Sequence, residues 1–183
     1  EHDFLKAELN YQLLLQSVMQ SGMSDQEFKH VEDIAANLEP GDDSVEAILA
    51  KGTVLSHRNW IRQNYAREQI KISWSKFFED WDLIICPQLA TTAIEHNHKK
   101  ISERTITVDN QEQRYFQQIF WPGLAVNAHL PSTVFPTGLS TNNMPIGLQA
   151  IGGLYEDKKT IKFTELFEEE FKSFVLPNLE ETL

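Results

Sequence analysis

Apolar residues change their spacing near residue 82, and that change divides the chain in two. Before it, the period is helical. In residues 3–20, Phe4, Leu5, Leu9, Leu13 and Val18 recur at roughly helical spacing and predict a first helix. Ser24 followed by Glu27 has the form of a capping box, in which each side chain satisfies an orphan donor of the first turn. Val31, Ile34, Ala35 and Leu38 make the stripe of this second helix, and Pro40-Gly41 ends it. Asp43 and Glu46 repeat the capping pattern ahead of a short helix over Val45, Ile48 and Leu49. A long helix then runs from about Ser56 to Glu79. Ile70, Trp74, Phe77, Phe78 and Trp81 lie on one face at three- and four-residue steps.

After residue 82 the pattern is mixed. "DLIICP" is an unbroken apolar run closed by Pro87, as expected of a strand covered on both faces. Residues 88–104 are polar and irregular. "ITV" at 106–108 with Asp109-Asn110 predicts a short strand and a turn. Residues 111–129 predict a helix interrupted near Pro122-Gly123, and two short apolar runs, 130–138 and 144–153, predict strands joined by a tight loop. The last helix starts at about Asp157, its expected N-cap. Ile161, Thr164, Phe167, Phe171 and Phe174 fall on one side of it. The order is that of an α/β fold with helices packed on a sheet. Three clear strands are too few, however: alone they would expose edges and a wide apolar face. The pattern calls for more sheet than the chain contains.

Composition narrows the class. With 183 residues, 41% hydrophobic and 23% charged, the chain is expected to be one soluble globular unit. A net charge of −11 speaks against nucleic acid and against an anionic membrane as partners, since both select basic surfaces. The lone cysteine, Cys86, excludes an internal disulfide, and no apolar run reaches the ~20 residues of a spanning helix. Residues 1–20 lack the basic start of a signal peptide. A cytoplasmic location is expected. The first residue is not Met, so a longer parent is expected too.

Candidate chemistry is sparse. Serine hydrolysis needs an activated nucleophile beside backbone donors, yet there is no Gly-x-Ser-x-Gly, no Ser-Ser pair and no Gly-Gly-Ser. Cys86 ends a buried run, where a cysteine is more simply a small hydrophobe or part of a pocket wall than a nucleophile. A catalytic unit pairing Cys86 with His96, His98 or His129 is the rival, and no oxyanion loop accompanies it. "EHNHKK" offers Glu95, His96 and His98, but a polar loop explains it as well as a metal site does. His129 is more simply a hydrogen-bonded structural residue at a helix-to-strand turn than a base. Asp42-Asp43 and Glu168-Glu169-Glu170 read as solvated faces. Gln149, central in an apolar strand, is expected to satisfy nearby backbone groups. Gly152-Gly153 is expected where the backbone approaches another segment closely or turns sharply.

Two stretches together carry a family resemblance. "WIRQNYAREQIKISWSKFFEDWDLIICP" (60–87) resembles a long helix leading into an aspartate-led strand that ends in Pro. "LPSTVFPTGLSTNNMPIGLQAIGGLYEDKKTIKFTELFEE" (130–169) resembles a Pro-Ala-Thr strand, a Pro-x-Gly turn, a Leu-Pro-x-Gly-x-Gln strand, Gly, Glu-Asp and a terminal helix. In that order they resemble the C-terminal part of amidase signature enzymes. His129 stands where the family often has Gly, and Met144 where it has Leu.

The resemblance implies an α/β fold: part of a mixed β-sheet flanked by helices. Residues 1–183 would form the C-terminal portion of an amidase domain, with 1–80 mainly helical and 81–183 supplying strands and helices of the sheet. It implies hydrolysis of a small carboxylic amide through an acyl-enzyme, with no cofactor and no metal. The family's Ser nucleophile, bridging Ser and Lys base lie in an N-terminal part that nothing in residues 1–183 matches, so no catalytic residue is carried over. The chain would supply pocket walls. Cys86, Gln88, Leu89 and Thr91 follow the 82–87 strand, and Trp121 and Gly123 lie at the helix interruption; these six are the substrate-binding candidates. Self-association or pairing with a missing N-terminal half would cover the sheet. The alternative is a non-catalytic binding or structural module that keeps this shape.

Overall fold

Four helices build the first layer of the computed structural model, which describes residues 3–172 and 174–176. α1 (Phe4–Met19) is capped by the Asp3 carboxylate, and α2 (Asp25–Ala36) carries the full Ser24/Glu27 capping box. α3 (Val45–Thr53) is capped by Ser44 rather than Asp43; the neighbouring Asp42 carboxylate accepts from the Ser44 N–H at 2.8 Å. α4 (His57–Asp80) starts at its Ser56 cap. Trp74 is buried on its inner face. Trp81 lies one residue past its end, exposed, with its ring stacked on Phe77.

α1 packs in an unexpected orientation. Of its apolar stripe only Leu13 is buried, while Phe4, Leu5, Leu9 and Val18 are exposed. The buried side includes Asn10, Gln12 and Gln16. The reason is an amide network. Asn10 donates to the Gln63 carbonyl at 2.8 Å and to the Gln63 side chain at 2.9 Å. Asn127 donates to Asn10 Oδ1 at 3.1 Å and to the Ala7 carbonyl at 3.2 Å. Buried amides need such partners, and three helices are tied together by meeting that need.

The sheet is antiparallel throughout the described residues. β1 (Leu83–Pro87) and β4 (Ser132–Leu139) flank β5 (Pro145–Gly152), giving the order β1-β5-β4. Cys86 pairs with Gln149 and Val134 pairs with Gln149 from the other side. A separate hairpin joins β2 (Thr105–Val108) to β3 (Gln111–Arg114). Asp109 and Asn110, both at positive φ, make its two-residue turn.

β3 and a 3₁₀ turn at Tyr115–Ile119 take up the start of the expected 111–129 helix. α5 (Phe120–Ala128) then runs without a break through Pro122-Gly123. Pro122 sits in the first turn, where no intrahelical donor is needed, so it opens a helix instead of interrupting one. α6 (Asp157–Phe171) begins at Asp157, with Glu156 in the cap position and no side-chain cap bond.

Helices cover the sheet unequally. On one face, α4 and α5 pack Phe78, Phe120, Leu124 and Ala125 against Ile84, Cys86 and Ile151. On the other, α6 sets Phe163 and Phe167 over Phe135, with ring centroids 5.6 and 4.8 Å away. α6 packs chiefly over β4 and β5, and Ile85 of β1 on that face is 48% exposed. The double cover expected for "DLIICP" is therefore present on one face only. Gly152 makes room for α6: a Cβ there would meet the Thr160 methyl at 2.9 Å.

Candidate functional site

Gln149 organises the end of the sheet that faces α5. It is buried at 2% exposure, and both ends of its amide are used. Its Nε2 donates to the Pro87 carbonyl at 3.0 Å and to the Trp121 carbonyl at 2.9 Å. Its Oε1 accepts from the Ser132 hydroxyl at 3.0 Å. One side chain thus fixes the end of β1, the first turn of α5 and the start of β4 relative to one another. A glutamine in an apolar strand has this physical reason: it is the shortest way to satisfy two carbonyls where three elements converge.

The six candidate residues separate around this junction. Cys86 and Trp121 belong to the packed cluster with Ile151 and Leu124. Burial pushes the Cys86 thiol upward, and a hydrogen bond with Gln149 opposes this more weakly. That is the direction of an inert thiol, since attack requires the thiolate. Gly123 faces α1: a Cβ there would meet the Tyr11 ring at 2.6 Å. It lines a cavity of about 210 Å³ between α1, α4 and α5, beside Glu8 and Tyr11, whose side chains are both pushed upward by burial. Leu89 and Thr91 come together in a different recess, of about 230 Å³. Trp121 lines a third cavity with Gln117 and Gln118. Gln88 is half-buried at the strand end and lines none of these cavities.

The Leu89–Thr91 recess also draws on residues that the strand-end argument did not single out. Ile94, Ile106, Tyr115, Ile119 and Pro122 complete its apolar wall, and Gln118 is its amide. The available signal was the scatter of lone apolar residues, Leu89, Ile94, Ile106 and Ile119, through an otherwise polar stretch. Leu89 follows a strand end, whereas Ile94 comes from the loop, Ile106 from the β2–β3 hairpin and Ile119 from the turn before α5.

His129 closes α5 with left-handed backbone, φ 57°. The Leu130 N–H returns to the Ala125 carbonyl, a C-terminal cap for which glycine is the usual residue. Burial holds the His129 imidazole below the ordinary histidine range, and the nearby Arg67 and Lys71 add to that. His96 and His98 are exposed in the 88–104 loop. Among the described residues no three His, Cys, Asp or Glu side chains come together to hold a metal ion. No helix of the described residues is long and apolar enough to cross a membrane.

The amidase family model matches residues 5–161. The chain belongs to the amidase family. Among curated relatives, a glutamyl-tRNA(Gln) amidotransferase subunit of Sulfurimonas denitrificans is 32% identical over 123 residues, 64% of this chain and 25% of that protein. The indoleacetamide hydrolase of Bradyrhizobium diazoefficiens is 29% identical over 113 residues, 59% of this chain and 20% of that one. Among solved structures, the corresponding glutamyl-tRNA(Gln) amidotransferase subunit of Thermotoga maritima superposes with a TM-score of 0.59 at 19% identity, over 96% of this chain and 36% of that one. A bacterial aryl acylamidase of the amidase signature family superposes with a TM-score of 0.61 at 14% identity, over 92% of this chain and 34% of that one. At those identities the structures speak to the fold alone, and it is the amidase α/β fold. This amidase-family chain spans about a quarter of the curated relatives and about a third of the solved ones.

Proposed function

We propose that the chain works as the C-terminal portion of an amide hydrolase that converts a carboxylic amide to the acid plus ammonia or an amine. The family match over residues 5–161 carries this reading. In the proposed reaction a serine outside the matched residues attacks the amide carbonyl. The amine leaves with a proton, and water then releases the acid from the acyl-enzyme. This portion supplies wall and scaffold. The Gln149 junction sets the end of β1, and with it Leu89 and Thr91, at a fixed distance from α5. Such a supporting shell is what holds a substrate in a productive position.

Unfinished surfaces support the partnership. Leu5, Leu9 and Val18 on α1 and Ile85 on β1 are exposed, and β1 and β4 each pair on one side only among the described residues. Further polypeptide, an N-terminal amidase portion or a second copy, would cover them. The raised Cys86 thiol disfavours a self-sufficient cysteine enzyme.

The experiment is to measure the intact mass of the native gene product and assay that product on aryl and aliphatic amides. A product well above 21.1 kDa that releases acid and ammonia is expected. A native product that turns over no amide would overturn the reading in favour of a structural module.

A further inference from the structure

The cavity of about 210 Å³ between α1, α4 and α5 sets aromatic walls beside unmet acceptors. Its size falls between the roughly 150 Å³ of a cavity that holds benzene and the roughly 300–1,000 Å³ of pockets for drug-sized ligands. That leaves room for a short branched alkyl group with one polar head. Phe4, Trp74 and Phe120 line it, and Phe4 meets each of the other two edge-on with ring centroids 6.4 Å apart.

Asn127 lines the same cavity and is only 4% exposed. Its Nδ2 donates to Asn10 Oδ1 and to the Ala7 carbonyl, so both hydrogens are engaged. Asn10 donates through its own Nδ2 to Gln63, which leaves its Oδ1 to accept from Asn127. The network therefore fixes which end of the Asn127 amide is oxygen. That oxygen accepts no hydrogen bond among the described residues. Nor is it sealed from solvent: among the described residues, the side-chain atoms both sealed and unpartnered are Arg67 Nε and Gln118 Oε1. Asn127 Oδ1 thus keeps accessible surface, and of the three cavities described above Asn127 lines this one alone. A nearly buried acceptor calls for a donor.

Charge says which donor. Asp3, Lys6 and Glu8 are the charged residues of the lining. The Asp3 carboxylate caps α1 by accepting from the Lys6 N–H, and the Lys6 side chain belongs to an exposed residue. Glu8 is half-buried and accepts from Gln12 Nε2 at 3.0 Å. No Lys, Arg or His lies within ion-pair distance of it among the described residues. Burial pushes its carboxyl upward, the mark of a carboxylate short of a cation. A cation in the cavity would lie in the field of two carboxylates against one lysine, beside ring faces that attract positive charge. An anion would meet the opposite on each count.

We propose that the α1–α4–α5 cavity binds a small alkylammonium ion, with an N–H donated to Asn127 Oδ1, the hydrocarbon against Phe4, Trp74 and Phe120, and Glu8 supplying the opposing charge. The inference gives this cavity a ligand of its own and does not depend on the amidase reading.

The test titrates the native gene product with isobutylammonium, isobutanol, isobutyrate and tetramethylammonium by isothermal calorimetry. Isobutylammonium is expected to bind saturably and isobutyrate not at all. Isobutanol lacks the charge and tetramethylammonium lacks the N–H; each should bind about tenfold more weakly, the scale of one charge-assisted hydrogen bond. Glu8→Gln should weaken isobutylammonium by about tenfold and leave isobutanol unchanged. Gln69→Trp, at an exposed position of the lining, should block both without disturbing the fold, as a matching thermal midpoint would report. Absence of saturable binding, equal binding of isobutyrate, or tetramethylammonium as tight as isobutylammonium would each overturn the proposal. So would binding that survives both substitutions, since the amine would then sit elsewhere in the protein.

Discussion

The two faces of the sheet are held by different physics. On the α6 face, Phe135 packs under Phe163 and Phe167, and the contact is area and shape. On the α5 face, apolar packing is joined to a polar junction in which Gln149 makes three hydrogen bonds to three different elements. Apolar contact is non-directional and tolerates small shifts. Hydrogen bonds at 2.9–3.0 Å do not, so they fix the register of one element against another. Aromatic packing holds α6 on the sheet; the amide positions the strand end from which the recess begins.

Mutations separate the two roles. Phe135→Ala should be the most damaging, about 3–5 kcal/mol of stability, because it empties the centre of the aromatic cluster. Denaturant unfolding measures it. Gln149→Leu keeps the volume but strands the Pro87 and Trp121 carbonyls, and about 1–3 kcal/mol should go. If the comparison is right, Gln149→Leu perturbs Leu89 and Thr91 amide shifts more than Phe135→Leu does, although both positions are buried. Equal perturbation would erase the distinction drawn here.

His129→Gly should raise stability, by about 0.5–1 kcal/mol, since it relieves a non-glycine residue at φ 57°. The smallest effect is one of pH. Burial, then Arg67 and Lys71, lower the His129 pKa from its ordinary 6.5. The unfolded chain therefore binds the proton more readily than the folded one. The stabilising contribution is present above the ordinary value and is lost as pH falls through the lowered one. A melting-temperature profile taken downward through pH 6.5 should drop slightly more for the native chain than for His129→Gln.

Much of the fold was legible because it depends on period and punctuation. The Ser24/Glu27 box, the long helix before residue 82, the strand at Leu83–Pro87 and the two strands joined through residues 140–144 all follow from local patterns, although the Pro136–Gly138 stretch expected as a turn is an irregularity inside β4. The role of Gln149 was legible in kind, since a buried amide must find partners. Which partners was not, because Pro87, Trp121 and Ser132 lie 62, 28 and 17 residues away. α1 deceived for a related reason. Its apolar stripe is real, but the Asn10–Asn127 bond across 117 residues turns the polar side inward. Pro122-Gly123 signalled a change of backbone correctly, yet the same pair marks a helix start as readily as a break. The recess was half legible: Leu89 and Thr91 follow a strand end, whereas Ile106 and Tyr115 arrive by hairpin folding.

The central claim is that this chain supplies wall and scaffold to an amidase and not its nucleophile. Ammonia release from phenylacetamide by the 183-residue chain alone tests it most directly, with Cys86→Ala measured in parallel. The account predicts no release above the uncatalysed background from either protein. Turnover by the chain that vanishes in Cys86→Ala would contradict it, and would place the chemistry at the end of β1.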